Sequence, residues 1–215
     1  MRHRVIQHGS WLALAAIAMT TAACSAWPRL PVTDEPGALL EISSQFSPET
    51  TVANSFDTCL YRFDTDNHFT VLLINGPIEA PIQAITLRLR WRPIAAKTPI
   101  TPNATNMMMR YMVFDDEQNQ VGVYTGAGYL YLDSDPGADR LALRIWQATL
   151  RLADHSSTFS DKLIEAQFHG QIIARRDDEQ VTSTLLQLNV LVTKRLGYPR
   201  FVSTASPIQV TSTGL

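Results

Sequence analysis

Between Ile85 and Arg92 the chain alternates strictly. Ile85, Leu87, Leu89 and Trp91 interleave with Thr86, Arg88, Arg90 and Arg92. Successive side chains of a strand point to opposite faces, so this predicts a half-buried strand with an apolar face, Trp91 included, and a cationic face. Pro93 ends it. Upstream, Thr58–Phe63 and His68–Ile74 flank Asp64-Thr65-Asp66-Asn67, which reads as a hairpin. Downstream, Met107–Phe114, Val121–Thr125 and Tyr129–Leu132 read as strands, the last two separated by Gly126-Ala127-Gly128. In Leu141–Leu152, Leu141, Leu143 and Ile145 share one phase and Ala148, Leu150 and Leu152 the other. That slip near Trp146 predicts a β-bulge. Leu163–Ala174 predicts a strand bent at Gly170. Arg175–Gln180 reads as a charged turn. Val181–Thr193, with Leu186, Leu188, Val190 and Val192 in phase against Gln187, Asn189 and Leu191, predicts a further strand. The tail from Tyr198 reads as an edge strand with a frayed end. About nine or ten strands with closely spaced turn signals predict an all-β fold, an antiparallel β-sandwich. The alternatives are a β-barrel, or an α+β fold with short helices inside Arg140–Ala153 or Phe159–Phe168.

The first 24 residues follow a different logic. Arg2 and Arg4 precede an apolar run from Trp11 to Met19, and Thr21-Ala22-Ala23-Cys24 closes it. The run is shorter than the roughly 20 residues that span a bilayer. A positive start, a short apolar stretch and small residues before a cysteine resemble the signal peptide of bacterial lipoproteins. The resemblance covers residues 1–24 and departs from the usual pattern at Thr21, where leucine is commoner. It implies removal of residues 1–23, a diacylglyceryl group on the Cys24 sulfur, and attachment to the membrane through that lipid. By the sorting rule of enteric bacteria, Ser25 after the cysteine implies the outer membrane, facing the periplasm. Residues 24–38, with Pro28, Pro31, Pro36 and Gly37, then read as lipidated N-terminus and tether, and 39–215 as a single β-rich domain.

Charge narrows the choice of partners. Without residues 1–23, 16 Lys plus Arg stand against 20 Asp plus Glu, a net charge of −4. Nothing there suits nucleic acid, whose binding needs a basic footprint. With Cys24 lipidated, Cys59 has no partner for an intramolecular disulfide, and its place among Leu60, Tyr61 and Phe63 predicts a buried, inert thiol.

Four features carry candidate chemistry. Arg88, Arg90 and Arg92 could grip the carboxylates or sulfates of an acidic glycan, or form a solvated sheet face. Asp133, Asp135 and Asp139 alternate through a loop as calcium ligands do, but the glycine falls one place early for an EF-hand and no glutamate closes it; an acidic turn explains them as well. Met107, Met108, Met109 and Met112 read as core filler before copper ligands. Tyr124, Tyr129 and Tyr131, with Trp91 and Trp146, could line a sugar platform or pack the core. The histidines His68, His155 and His169 show no zinc spacing, and no nucleophile motif or cofactor fingerprint is present. The sequence therefore predicts a lipid-anchored, non-enzymatic envelope module that binds a glycan or protein partner or serves in assembly, without cofactor. The alternatives are an envelope glycan-active enzyme with a basic and aromatic groove, and a barrel that carries a small apolar ligand.

Overall fold

A computed structural model describes residues 35–46, 51–64, 68–92 and 105–199. The expected signal peptide, Cys24 and the tether up to residue 34 lie outside them, as do residues 200–215. Among the described residues nine strands follow in chain order: β1 (Gly37–Ser44), β2 (Thr51–Ser55), β3 (Thr58–Phe63), β4 (Phe69–Asn75), β5 (Gln83–Leu89), β6 (Met107–Asp115), β7 (Gln120–Leu132), β8 (Arg140–His155) and β9 (Glu165–Arg176). Among the described residues one helix, α1 (Asp178–Leu196), follows β9. The β-rich fold expected from the alternating pattern is what the structure has. The predicted hairpin is β3–β4, in register from Thr58 opposite Ile74 to Phe63 opposite Phe69.

All strands belong to one sheet, in the order β2-β1-β9-β3-β4-β5-β6-β7-β8, and β8 also pairs with β9. The sheet therefore curves round and closes on itself. Along one edge β9 pairs with β8, and along the other first with β1 and then with β3. The β3–β9 contact is parallel and covers only Leu60 opposite Arg175 and Tyr61 opposite Arg176.

The inner face holds one continuous apolar cluster. Phe69, Val71 and Leu73, Ile85, Leu87 and Leu89, Met107, Met109 and Tyr111, and Leu141, Leu143 and Ile145 all belong to it. Tyr111 meets Phe168 edge-on, with centroids 5.2 Å apart. A second cluster lies on the outer face, where Leu60, Leu72, Ile74, Met112, Phe114, Val121 and Val123 are covered by α1.

The helix corrects the strand predicted at Val181–Thr193. Val181, Thr184, Leu185, Leu188 and Val192 are its buried residues, a helical spacing. Burying each of its large aliphatic side chains contributes roughly 1.5–3 kcal/mol. The even-numbered alternation misled because Leu186 and Val190 are apolar yet point to solvent. The residues read as a charged turn hold the start signal. Asp177 caps the first turn by accepting from the Gln180 N–H, and Asp178 and Glu179 follow at the positive end of the dipole. Gly197, in the left-handed conformation, closes the other end. Arg195 then ties that end to the β6–β7 turn, with bonds to the Gln120 carbonyl and to Asp116 and its guanidinium 5.0 Å from the Phe114 ring centre. The alternative helices within Arg140–Ala153 and Phe159–Phe168 do not form: the first stretch is β8, and the second runs from a loop into β9. The structure also starts β1 at Gly37, so Gly37 and Ala38 belong to the sheet and not to the tether.

Three register shifts interrupt the ladders, one of them between Val123 and Tyr124. The phase slip predicted near Trp146 is a register shift between Ile145 and Ala148 against β9, matched by one between Tyr129 and Leu130 against β8. By contrast, Gly126 and Gly128 do not interrupt β7. They let β8 cross at close range: a Cβ at Gly126 would sit 1.9 Å from the Thr149 carbonyl oxygen, and one at Gly128 2.3 Å from that of Gln147. At the predicted bend, Gly170 has φ +147° and would meet the Leu39 carbonyl oxygen at 2.2 Å.

Candidate functional site

The three arginines of the alternating stretch are separately engaged. Arg88 is half-buried on the outer face of β5, opposite Thr70 and Met108. Arg90 lies just beyond the strand, and its guanidinium donates to the Met108 sulfur at 3.1 and 2.7 Å. Its backbone N–H donates to the Asn106 carbonyl, and its carbonyl accepts from His68 Nε2 at 2.9 Å. Arg92 pairs with Asp135 at 3.2 Å. That pair is open to solvent and contributes little to stability.

The acidic loop is arranged around arginines. Asp133 receives a two-pronged contact from Arg144, with both bonds at 2.9 Å. Asp135 takes Arg92, and the Asp139 carbonyl accepts from the Arg176 N–H. Among the described residues no three His, Cys, Asp or Glu side chains come together as metal ligands. The structure thus joins the two candidate sites, the arginines and the aspartates, through one ion pair, Arg92–Asp135.

What the sequence left undecided was the aromatic set, and it divides. Tyr124 is core; its hydroxyl donates to Asp161 at 2.6 Å. Burial, and then Asp161, push its pKa well above the ordinary tyrosine value. The other four rings form a ladder on the outer face. Trp91 meets Tyr129 at 6.0 Å, Tyr129 meets Tyr131 at 5.1 Å, and Tyr131 meets Trp146 at 6.3 Å, all edge to face. Trp146 is 56% exposed and Trp91 39%. Trp91 was expected in the core from its phase. The ladder of β5 stops at Leu89, however, and the indole N–H turns to the Thr105 carbonyl at 3.1 Å. Trp146 faces out by ordinary alternation after the inward Ile145, and the bulge before Ala148 leaves Gln147 outward as well.

Asn106 holds this arrangement, and no motif or spacing in the sequence singles it out. It is fully buried. Its side-chain amide donates to the Leu130 carbonyl and accepts from the Leu130 N–H, both at 2.9 Å, at the β7 register shift. Its own N–H donates to the Gly128 carbonyl. Asn106 therefore grips the backbone on both sides of Tyr129, while its neighbour Thr105 takes the Trp91 indole.

The remaining reactive groups are widely separated. His155 Nδ1 donates to the Ser156 carbonyl, and His169 Nε2 lies 3.0 Å from Glu41. Met107, Met109 and Met112 are buried, the first two inside the ring and Met112 under α1. Cys59 is buried, with its thiol donating to the Phe56 carbonyl at 3.7 Å. Burial, with Asp57 adding to it, pushes its pKa up to about 12. Since the folded value lies above the ordinary 9.0, the neutral thiol favours the fold at neutral pH, and that contribution is lost as pH rises from about 9 to 12. Native protein at pH 8 is expected to react with a thiol-specific chromogen only after denaturant is added. Rapid labelling without denaturant would show that the strand opens.

Comparison with protein-family models, with curated proteins and with solved structures gives no match. Among the described residues no helix is long and apolar enough to cross a membrane.

Proposed function

We propose that this is a lipid-anchored envelope protein that acts by binding, not catalysis. It is held through Cys24, on the outer membrane facing the periplasm, and presents the Trp91–Tyr129–Tyr131–Trp146 ladder to a partner. The ladder carries the reading: two tryptophans stand open on a sheet face, in a framework that a fully buried asparagine fixes. Large exposed aromatic groups in a rigid setting mark interaction sites. The dispersal of the histidines, each against its own carbonyl or carboxylate, favours binding over general acid–base chemistry. For the anchor, the support is the Thr21-Ala22-Ala23-Cys24 box after its short apolar run.

Two measurements test the two halves. Cys24→Ser is expected to abolish metabolic palmitate labelling and release the protein from the membrane fraction; undiminished labelling would refute the anchor. A photo-cross-linking residue in place of exposed Gln147, opposite Tyr129, is expected to give an adduct in cells, whereas one in place of Gln187 on α1 gives none. Equal yields at both positions would remove the ladder as the contact surface.

A further inference from the structure

We infer that the ladder takes an uncharged, hydroxyl-rich glycan chain along the outer face of β7 and β8. This rests on the ladder being the binding surface and names its occupant. The exposed rings supply one half of the complementarity. The C–H face of a pyranose, polarised by its oxygens, meets the negative face of an aromatic ring. Tyr129 is buried between its neighbours, so the open surface is that of Trp91, half-buried Tyr131 and Trp146; with successive rings 5.1–6.3 Å apart they make an extended track, suited to a chain more than to a compact ligand.

The rim supplies the other half. Arg144, paired with Asp133, stands directly across from Tyr131, and the Arg92–Asp135 pair begins one residue beyond Trp91. A guanidinium only donates and a carboxylate only accepts, whereas a sugar hydroxyl does both. Each ion pair can therefore receive hydroxyls at either pole without unpaired charge. Within these two pairs guanidinium and carboxylate are matched one to one, so they add no net positive charge to draw a polyanion; Arg90, next to Trp91 in the chain and with its guanidinium on the Met108 sulfur, is a further cation outside them. The same balance disfavours a bilayer. Aromatic rings suit the headgroup region, but Asp135, its side chain 91% exposed, would stand against lipid phosphates.

The test is titration of the purified full-length lipidated protein in detergent with chitohexaose and with cellohexaose, both uncharged, read by tryptophan fluorescence and calorimetry. Saturable binding of at least one is expected. Trp146→Ala should weaken it roughly ten-fold, the size of one lost stacking contact. Trp146→Phe should restore part of the loss, Trp91→Ala should weaken binding independently, and Leu186→Ala on α1 should leave it unchanged. Thermal melts check that the variants fold. The inference is overturned if neither hexamer binds, if Trp146→Ala binds as well as the parent, or if hexagalacturonate binds more tightly than both. Displacement of the glycan by phosphatidylethanolamine–phosphatidylglycerol vesicles would also overturn it, in favour of a membrane surface. Should the Gln147 cross-link form while neither hexamer binds, the ladder remains a contact surface and only the glycan is excluded.

Discussion

Alanine at Gly126 is expected to destabilise the protein by about 4 kcal/mol or more, the range reached when a core position has no way to adapt. In a domain of this size that lowers the melting temperature by roughly 8–16 °C. The added carbon would lie 1.9 Å from the Thr149 carbonyl oxygen and 2.9 Å from the Leu150 Cα. Both are backbone atoms of β8, held by register pairs on each side, so neither can swing away as a side chain would. Gly37→Ala makes the same chemical change where nothing lies within 4 Å. There the smaller entropy of the unfolded chain should leave stability unchanged or raised by about 0.4–1 kcal/mol. Thermal melts of the two variants side by side decide the matter. A Gly126→Ala protein that melts with the parent would show that β7 can move off β8 without loss.

Asn106→Leu should produce the next largest effect. The substitution keeps the volume but leaves the Leu130 N–H and carbonyl without their partners in a dry interior. Two orphaned backbone groups cost about 3 kcal/mol together. The loss is also local in its consequence. With the bulge no longer gripped, Tyr129 and Tyr131 lose their fixed angle to Trp91 and Trp146. The near-ultraviolet circular dichroism of the coupled rings should fall at temperatures where the far-ultraviolet signal is intact. Both signals matching the parent would mean that the bulge holds its shape without the amide.

The strands were legible because burial on one face imprints a period of two, as in Ile85–Leu89 and Leu141–Ile145. The bulge was legible for the same reason, since a phase slip is visible in the residues themselves. Where the outward face also carries apolar side chains, the period loses its meaning. Leu186 and Val190 made α1 look like a strand, although Asp177, the acidic first turn and Gly197 spelled out both helix ends. Trp91 failed differently, because phase predicts a face only while the strand lasts. Asn106 was beyond reach altogether: its role is a bond to a backbone 24 residues away, and no local pattern records that. The aspartates and arginines were visible as charges, but their pairing depended on how the loops meet.

The three partnerships of β9 bear on the order in which the molecule can be built. From β3 to β8 every strand pairs with its successor, so that meander can assemble as the chain lengthens. Its two outer edges, on β3 and β8, stay bare until residues 165–176 arrive, and β1 has only β2 beside it until then. A growing chain therefore spends the interval before β9 emerges with exposed edges that can pair wrongly. One segment near the C-terminus ends that exposure for all three at once. Closure is therefore a late, long-range event, which no pair of neighbouring strands can bring about alone.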